Sequence, residues 1–477
     1  MADAAETIAD IAVIGAGPAG ASAAIEAAEI GLSVILFDEQ ARAGGQVWRA
    51  RGPAIRSAPS SPESRDGDVL RQRLDASAAT RLFRHRVWQI QPETPGWTIF
   101  SAGPEGPVSH RVKSVILATG AQERVFPVPG WTLPGVIGLA AATALMKGEM
   151  MLPGRRVLVA GAGPLLPYVA HEIHRHGGEV VAIADLNLFG DWLRCLPAMA
   201  RRPDLALRGA GWLAALRKAG IPYLYGMGVR HISGKCQVEH VEIGPVDAAW
   251  SPVDDGDIRR FDVDAVVLGH GLSPAIEATR MLDCRHVYDP AAGGWRVETD
   301  AAGRTTIDGI YACGDGAGIL GVAAAPLRGR IAARAAAGDL GKTCATGDLQ
   351  RDLATAGGFG RAMTSLTVPR AGILGQISPD TIVCRCEGLT RADVEAGISG
   401  GGVSPNALKS ETRCGMGPCG GRFCRETAAM LTAAMTGSDI AEIGLPTGRP
   451  PLRPLPVVAV TGDFDYDELP IPAPSPL

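Results

Sequence analysis

The sequence IAVIGAGPAG, residues 11–20, decides the fold of this 477-residue chain. Four apolar residues typical of a buried strand lead directly into Gly15, Gly17 and Gly20, and an alanine-rich stretch of helical character follows. The first glycine permits a tight turn, the second lets a pyrophosphate approach the backbone, and the third allows close packing of helix on strand. We therefore predict a strand–turn–helix unit that binds a dinucleotide, with its phosphates at the helix N-terminus.

An acidic strand end strengthens this prediction. A second apolar run, residues 34–37, ends in Asp38 and Glu39, slightly more than 20 residues after the glycines. A ribose hydroxyl of the dinucleotide can donate a hydrogen bond to a carboxylate at this position. We expect Asp38 to be the acceptor, with Glu39 beside it.

A similar unit returns later in the chain. The apolar run 157–160 is followed by Gly161 and Gly163, but Leu166 stands where the third glycine would be. The next apolar run ends in Asp185, which would favour the unphosphorylated ribose of NAD over that of NADP. The alternative is a Rossmann-like unit that is kept for packing.

Four cysteines near the C-terminus form two close pairs, Cys384 with Cys386 and Cys419 with Cys424, separated by 32 residues. A [2Fe-2S] cluster takes four thiolates, two for each iron, so two such pairs on adjoining loops can hold both irons. A fifth cysteine, Cys414, could replace Cys419 or Cys424, but we expect it not to be a ligand. Structural zinc is the alternative, although zinc sites usually pair cysteines as C-x2-C.

Composition limits the remaining possibilities. The net charge is −4 and basic residues are dispersed, which argues against a nucleic-acid surface. Residues 1–10 lack the basic region and the continuous apolar stretch of a secretory signal. The apolar run 136–146 is too short to span a bilayer. The ten cysteines are too sparse for a disulfide scaffold. We expect a soluble, cytoplasmic protein without a transmembrane segment, associated with a membrane only through partners.

No C-x-x-C pair occurs in the chain, so thiol–disulfide exchange is not expected.

Two further segments, 115–120 and 310–315, are short apolar runs that end in Thr119-Gly120 and Gly314-Asp315. With them the chain resembles the two-dinucleotide flavoproteins typified by thioredoxin reductase, over residues 8 to about 335. The resemblance implies an α/β fold of two doubly wound Rossmann-like domains, with one FAD shared by the N-terminal glycines and the late Gly-Asp motif. The residues that it assigns to cofactors are Gly15, Gly17, Pro18, Ala19, Gly20, Asp38, Glu39, Gly45, Gln46, Thr119, Gly120, Gly314 and Asp315 for FAD, and Gly161, Gly163 and Asp185 for a second nucleotide.

The order of the motifs predicts the domain organisation. Residues 1–125 and 298–345 would form a discontinuous FAD-type domain, with an NAD-type domain inserted at 126–297. Residues 346–380 are predicted as a linker and 381–445 as a small helical [2Fe-2S] domain, with helices at 391–398, capped by Thr390, and at 425–436. The proline-rich tail, 446–477, should be extended and wrap a neighbour.

A narrower resemblance covers nearly the whole chain. CRCE at 384–387 and LKSETRCGMGPCGGRFC at 408–424 are similar to the alpha subunit of bacterial opine oxidases, hydrogen cyanide synthase and D-hydroxyproline dehydrogenase, which carries a BFD-like [2Fe-2S] domain. Many such relatives have glutamine where this chain has Gly420, a difference that should alter packing more than ligation.

This resemblance implies a subunit of a heteromeric oxidoreductase that acts on CH-NH donors. The partner would be an FAD-containing beta subunit of the amino-acid-oxidase type, with room for a further small subunit, and its substrate would be an opine, an imino acid or another secondary amine. The resemblance allows the second unit to bind NAD or another adenine nucleotide. It also allows an FMN to bind at the junction between subunits. Two alternatives stay open: a self-sufficient NADH-dependent flavoprotein reductase, and a non-catalytic nucleotide-binding scaffold whose metal is zinc.

Overall fold

The computed structural model describes residues 8–55, 62–254 and 257–461. The first seven residues and residues 462–477 of the predicted tail therefore lie outside the described part. The N-terminal elements begin with the expected strand, turn and helix. They are β1 (Ala9–Ile14), α1 (Pro18–Glu29), β2 (Val34–Asp38), α2 (Pro62–Ala76), β3 (Thr80–Phe83), β4 (Arg86–Pro92), β5 (Trp97–Gly103), β6 (Gly106–Leu117) and β7 (Ala121–Glu123).

The central elements repeat this pattern of alternating strands and helices. They are β8 (Val136–Gly138), α3 (Leu139–Glu149), β9 (Arg156–Gly161), α4 (Leu165–Arg175), β10 (Glu179–Asp185), α5 (Phe189–Arg194), α6 (Leu196–Ala200), α7 (Pro203–Lys218), β11 (Tyr223–Tyr225), β12 (Met227–Ser233), β13 (His240–Pro245), β14 (Arg259–Asp262), β15 (Ala265–Gly269) and β16 (Leu272–Pro274).

The C-terminal elements return to the first domain and then form the small helical domain. They are α8 (Glu277–Met281), β17 (His286–Asp289), β18 (Gly294–Val297), β19 (Ile310–Ala312), α9 (Ala325–Asp339), α10 (Gly347–Ser365), β20 (Ile382–Cys384), β21 (Leu389–Thr390), α11 (Arg391–Ser399), α12 (Pro405–Thr412), α13 (Arg425–Thr436), α14 (Ile440–Ile443) and α15 (Val458–Thr461), with 3-10 helices at Pro290–Ala292, Gly314–Ala317 and Ala371–Gln376.

Two sheets organise the body of the protein. In the first, β3, β2, β1, β6 and β19 run parallel, and β6 also pairs antiparallel with β5, which pairs with β4. The second sheet is parallel throughout, in the order β11-β10-β9-β15-β8. The short antiparallel pair β7 and β16 lies where the chain passes between the two domains. The predicted fold class is confirmed.

Small side chains set the spacing in the first domain. Helix α1 is rich in buried alanines, and α9 presents a similar alanine face to it. A methyl group added at Gly329 of α9 would lie 1.9 Å from the Ala19 carbonyl oxygen, so glycine is needed for this approach. Glu26 of α1 is buried and forms ion pairs with Arg330 and Arg334 of α9. The N-terminal glycine turn is thereby fixed against α9.

The two helices predicted in the small domain are confirmed. Helix α11 has Thr390 as its N-cap in a capping box with Asp393, and α13 spans Arg425–Thr436. The stretch predicted as a linker instead contains the 19-residue helix α10. Its Gly360 serves packing, since a methyl group there would lie 2.0 Å from the Leu320 carbonyl oxygen.

The described part of the proline-rich tail lies along the protein itself. The N–H of Leu452 donates to the carbonyl oxygen of Trp88 at 2.9 Å, and Arg422 donates to the carbonyl oxygen of Leu452 at 3.3 Å. The segment therefore joins the small domain to β4 of the first sheet. Among the described residues, no helix combines the length and the apolar character needed to cross a membrane.

Candidate functional site

The glycine turn between β1 and α1 has the geometry that a pyrophosphate requires. Gly15 has a φ of +104°, and a methyl group there would lie 2.5 Å from the Ala118 carbonyl oxygen. A methyl group at Gly20 would lie 1.8 Å from the Gly15 carbonyl oxygen, so this glycine lets α1 approach the turn. At Gly17 the nearest described atom is the Cα of Gly45, 3.9 Å away. The space above Gly17 is therefore open.

Asp38 holds this turn in shape. Its Oδ2 accepts from the Ala16 N–H at 2.5 Å and its Oδ1 accepts from the Gln40 N–H at 2.7 Å. Burial raises the pKa of Asp38, against these hydrogen bonds, which lower it. A carboxylate can accept about four hydrogen bonds, so Asp38 retains capacity for a ribose hydroxyl. Glu39 is half exposed and faces Arg86 and Arg453 at 3.8 and 3.9 Å.

The turn at Gly44, Gly45 and Gln46 lies against the same site. The Gly44 N–H donates to the Ala16 carbonyl oxygen at 2.8 Å, and Gly45, at φ +58°, faces Gly17 across the turn. The Gln46 amide oxygen accepts from Arg49 at 2.6 Å. These residues, predicted near the cofactor from sequence, therefore meet the glycine turn.

The two later motifs, Thr119-Gly120 and Gly314-Asp315, also lie near the glycine turn. Thr119 donates to the Ala275 carbonyl oxygen at 2.7 Å, and Gly120 follows at a φ of +72°. A methyl group on Gly314 would lie 2.7 Å from the Cβ of Ala19, at the beginning of α1. Asp315 Oδ1 accepts from the N–H groups of Leu320 and Gly321, each at 3.1 Å.

Arg328 holds this late turn, and sequence inspection missed it. Its guanidinium donates to the carbonyl oxygens of Gly314, Ala317 and Gly318 at 2.7 to 2.9 Å. Burial lowers the pKa of Arg328, but its ordinary value is so high that it remains charged. An arginine on an alanine-rich helix carries no sequence signal of such a role. The open glycine cradle, the acceptor capacity of Asp38 and this fixed turn together fit an FAD.

The second unit contains the same motif with different surroundings. A methyl group on Gly161 would lie 1.7 Å from the Gly269 carbonyl oxygen, which corresponds to the packing of Gly15. At Gly163, however, a methyl group would lie only 2.3 Å from the Cγ2 of Thr367. Asp185 is completely buried and accepts from Asn187, Trp192 and Tyr223. Burial raises the pKa of Asp185 to about 6, although these hydrogen bonds lower it.

Two other ionisable groups, the partly buried Glu123 and the buried His270, lie where the domains meet. Burial raises the pKa of Glu123 to about 7, although it accepts from the N–H of Ala140 at 2.8 Å in the first turn of α3. Burial lowers the pKa of His270 to about 3, with the nearby Arg124 as a second cause, and its Nδ1 accepts from the Phe126 N–H. His270 is therefore neutral near pH 7 and serves the local backbone.

All five C-terminal cysteines converge. The sulfur atoms of Cys384, Cys414 and Cys424 lie within 4.8 Å of one another, and all three residues are buried. Hydrogen bonds from the thiols of Cys414 and Cys424 lower the pKa of Cys384. The more exposed Cys386 is hydrogen-bonded to Cys419, whose backbone N–H also points at the Cys386 sulfur. The sulfur atoms thus form a buried group of three that includes Cys414, and Cys386 and Cys419 form a separate pair.

Glycines shape the loops that carry these cysteines. Gly415, Gly420 and Gly421 have φ values of +82°, +65° and +78°. A methyl group on Gly417 would lie 2.1 Å from the Cβ of Cys386. Several thiols facing one another on glycine-rich loops are the ligand set that an iron–sulfur cluster needs.

Buried polar contacts fix the cysteine domain to the body. Arg124, which follows β7, forms an ion pair with Glu426 at 2.7 Å, and the two side chains are only 3% and 17% exposed. Glu426 lies two residues after Cys424. Trp131 Nε1 donates to the Ile382 carbonyl oxygen at 2.7 Å, just before Cys384. The loops that hold the cysteines are thereby anchored directly to the crossover between the two nucleotide units, a connection that no sequence motif indicates.

Comparison with known proteins agrees with this architecture. Residues 9–339 match the family described as pyridine nucleotide-disulphide oxidoreductase, and residues 382–433 match the BFD-like [2Fe-2S] binding domain. The first match covers the residues of the glycine turn and of the late Gly-Asp motif, and the second covers all five convergent cysteines.

Curated relatives match over almost the entire chain. An opine oxidase subunit from Agrobacterium tumefaciens is 35% identical over 464 residues, covering 94% of this chain and 90% of that protein. The hydrogen cyanide synthase subunit HcnB from Pseudomonas aeruginosa is 32% identical over 457 residues, covering 94% and 97%. Among solved structures, L-proline dehydrogenase from P. horikoshii shares the fold, with a TM-score of 0.71 at 21% identity over 95% of this chain and 80% of that one.

These findings confirm both resemblances drawn from the sequence. The family implies FAD, and the BFD-like domain with its convergent cysteines implies a [2Fe-2S] cluster. The chain belongs to the pyridine nucleotide-disulphide oxidoreductase family, together with HcnB and the opine oxidase relative, and is a flavin-dependent oxidoreductase with an iron–sulfur domain.

Proposed function

We propose that this chain is the electron-transferring subunit of a heteromeric oxidoreductase that acts on an opine, an imino acid or another secondary amine. The amine would be oxidised on an FAD-containing partner of the amino-acid-oxidase type. The observation that carries the proposal is the convergence of the cysteines in a domain that buried ion pairs fix to the flavin-type body. The names of the relatives, which are subunits of an opine oxidase and of a hydrogen cyanide synthase, support a role as one component of a complex.

Each residue predicted to bind FAD or iron has a part in this proposal. The three glycines of the first turn would hold the FAD pyrophosphate, Asp38 its ribose, and the turn ending in Asp315 its ribityl chain. The cysteine loops would hold two irons through the predicted quartet, with the backbone N–H of Cys419 directed at the Cys386 sulfur. The proposed residues are Gly15, Gly17, Pro18, Ala19, Gly20, Asp38, Glu39, Gly45, Gln46, Thr119, Gly120, Gly314 and Asp315 for FAD, and Cys384, Cys386, Cys419 and Cys424 for iron.

When bound, FAD would exchange electrons singly or in pairs and a [2Fe-2S] cluster would exchange them singly, so the two groups together would supply electron transfer. The chain's own contribution is to position both groups. Arg328 fixes the late turn, and Glu426 fixes the helix that follows Cys424. We assign no acid–base residue, because on this proposal the C–H bond of the substrate is broken on the partner. The absence of a C-x-x-C pair argues against disulfide reduction.

Co-purification with the partner tests the proposal. The chain would be expressed with a candidate FAD-containing partner of the amino-acid-oxidase type, and the complex purified without oxygen. An opine or a secondary amino acid should then bleach the visible absorption of flavin and cluster in the complex, but not in the isolated chain. Bleaching of the isolated chain by the amine, or no bleaching of the complex by any secondary amine, would contradict the proposal. The FMN content of the complex tests for a further flavin at the junction.

A further inference from the structure

The second nucleotide unit differs from the first in what lies over its glycine turn. We infer that residues 362–370, called here the cover segment, occupy the nucleotide site of the second unit, so that this unit does not bind NAD(H). The cover segment comprises the last turn of α10 and the chain that follows it. Its position excludes pyridine nucleotide as the direct reductant of the flavin, and the inference does not depend on the identity of the partner or of the amine.

Thr367 blocks the glycine turn of the second unit sterically. The second glycine of the motif exists to let a pyrophosphate approach the backbone. At Gly17 the nearest described atom to an added methyl group is 3.9 Å away, whereas at Gly163 the Thr367 side chain is 2.3 Å away. Thr367 also lies 2.4 Å from a methyl group placed on Gly271, on the facing loop. The side chain of Thr367 therefore fills the space that the phosphates would need.

The helix that would receive the phosphates is also poor in donors. Helix α4 begins at Leu165, and its third residue is Pro167, which has no N–H. The N–H of Leu166 already donates to the Gly163 carbonyl oxygen at 3.2 Å. Of the three N–H positions that open the helix, one is absent and a second is used. This helix end therefore offers little to an anion.

Asp185 is equally unsuited to a ribose. Its Oδ1 accepts from the backbone and side-chain N–H groups of Asn187, and its Oδ2 accepts from Trp192 and Tyr223, all at 2.8 to 2.9 Å. These four hydrogen bonds fill the acceptor capacity of a carboxylate. Asp38 in the first unit accepts two. Asp185 is thus a structural residue, and the prediction that it binds NAD is not supported by its contacts.

The same polar cluster secures the cover segment. The side-chain N–H of Asn187 donates to the Leu366 carbonyl oxygen at 3.0 Å, and Arg124 donates to the Thr367 carbonyl oxygen at 3.1 Å. Arg370 forms an ion pair with the buried Asp191 at 3.0 Å. Leu366 and Thr367 are 2% and 5% exposed. A nucleotide would have to break these buried contacts to enter.

Hydrogen–deuterium exchange on the FAD-loaded chain tests the inference. We expect NAD+, and NADH under anaerobic conditions, to leave exchange unchanged in 157–190 and 362–370, with a dissociation constant weaker than about 1 mM. NADH should also leave the flavin oxidised. Slower exchange at 161–166 on addition of NAD+, or bleaching of the flavin by NADH, would overturn the inference. Amine oxidation by the complex would be unaffected by either result, so the two proposals can fail separately.

A matched pair of variants tests the cover segment itself. Thr367→Gly removes the side chain that lies against Gly163 and should speed exchange at 161–166 about tenfold. Ser365→Gly, two residues away with an exposed side chain, should leave this exchange unchanged. Equal exchange at 161–166 in both variants and in the unmodified chain would mean that Thr367 does not close the site, and the inference would be wrong.

Discussion

At the scale of single residues, the arrangement of the five cysteines carries the chemistry. The sulfur atoms of Cys414, Cys384 and Cys424 all lie within 4.8 Å of one another, yet the spacing of the motif assigns the cluster to Cys419 rather than to Cys414. A cluster needs two cysteine sulfur atoms for each iron, and on this assignment the exposed Cys386 and the half-buried Cys419 would be the ligands of the second iron. Cys414 would then be a thiol that packs beside the cluster.

Serine variants separate these roles. Cys419→Ser should lower the iron content from about two per chain to near zero while FAD stays bound, because one iron loses a ligand. Cys414→Ser should keep both iron and FAD. Iron analysis and visible absorption of anaerobically reconstituted protein give the answer, and a colourless, zinc-containing protein would exclude the cluster. Iron lost in Cys414→Ser but kept in Cys419→Ser would show that the proposed quartet is wrong.

At the scale of elements, the contact between α1 and α9 places the flavin site. The two helices approach so closely that backbone meets backbone at Ala19 and Gly329, and Ala19 directly follows the proline that opens α1. Any change in this spacing would move the first turn of α1, where the pyrophosphate is expected. The stability of the helix pair and the affinity for FAD should therefore change together.

Two identical substitutions in α9 test this coupling. Gly329→Ala introduces a methyl group against Ala19 and should destabilise the protein by about 1–3 kcal/mol, with weaker retention of FAD. At Gly338 of the same helix an added methyl group meets no described atom within 4 Å. Gly338→Ala should leave FAD bound and raise stability by up to about 1 kcal/mol, because alanine is the better helix former. Thermal melting and FAD fluorescence measure both effects, and similar behaviour of the two variants would contradict the argument.

At the scale of the whole molecule, ion pairs between charged side chains attach the cysteine domain to the two nucleotide-type domains, called here the body. Arg124 donates to Glu426 and also to the carbonyl oxygens of Thr367 and Gly293, so one side chain joins the crossover, the cover segment and the helix after Cys424. Glu277 of α8 adds a second connection through Arg422 and Arg425 at 3.7 and 3.5 Å. The orientation of the cluster site thus depends on the body.

Removal of one partner of the buried pair tests this anchoring. Glu426→Ala leaves the Arg124 charge buried without a counterion, which should cost about 3–5 kcal/mol and lower the temperature at which the visible circular dichroism of the cluster is lost. Glu298→Ala breaks the exposed pair with Arg285, in which the side chains are 38% and 68% exposed. This control should change stability by less than about 1 kcal/mol. Equal melting of the cluster signal in the two variants would contradict the role of Arg124.

Much of the local structure could be predicted from the sequence. Residues 11–20 dictate a strand, a turn and a helix, since a buried apolar run and three glycines at this spacing have few other conformations. Thr390 and the polar residues after it likewise predicted helix α11. The pairing of cysteines predicted a thiol centre. These features depend on residues that are close together in the chain, so the sequence alone is enough to predict them.

Helix α10 escaped prediction because its glycines serve contacts with distant residues such as Leu320. Three other features could not be predicted either, because they too depend on contacts between residues far apart in the chain. They are the role of Arg328, the ion pair of Arg124 and Glu426, and the position of Cys414 close to Cys384.

The sequence by itself determined that the chain has two nucleotide-type units and a cysteine-rich domain, because each is encoded by a short, local motif. Only the tertiary structure decided how the two units differ: Gly17 and Gly163 belong to the same motif, yet one faces open space and the other faces Thr367. Residue 367 lies about 200 positions from Gly163, and burial of its side chain there depends on the packing of α10 and on Asn187 and Arg124. A local pattern cannot report what a remote segment places over it.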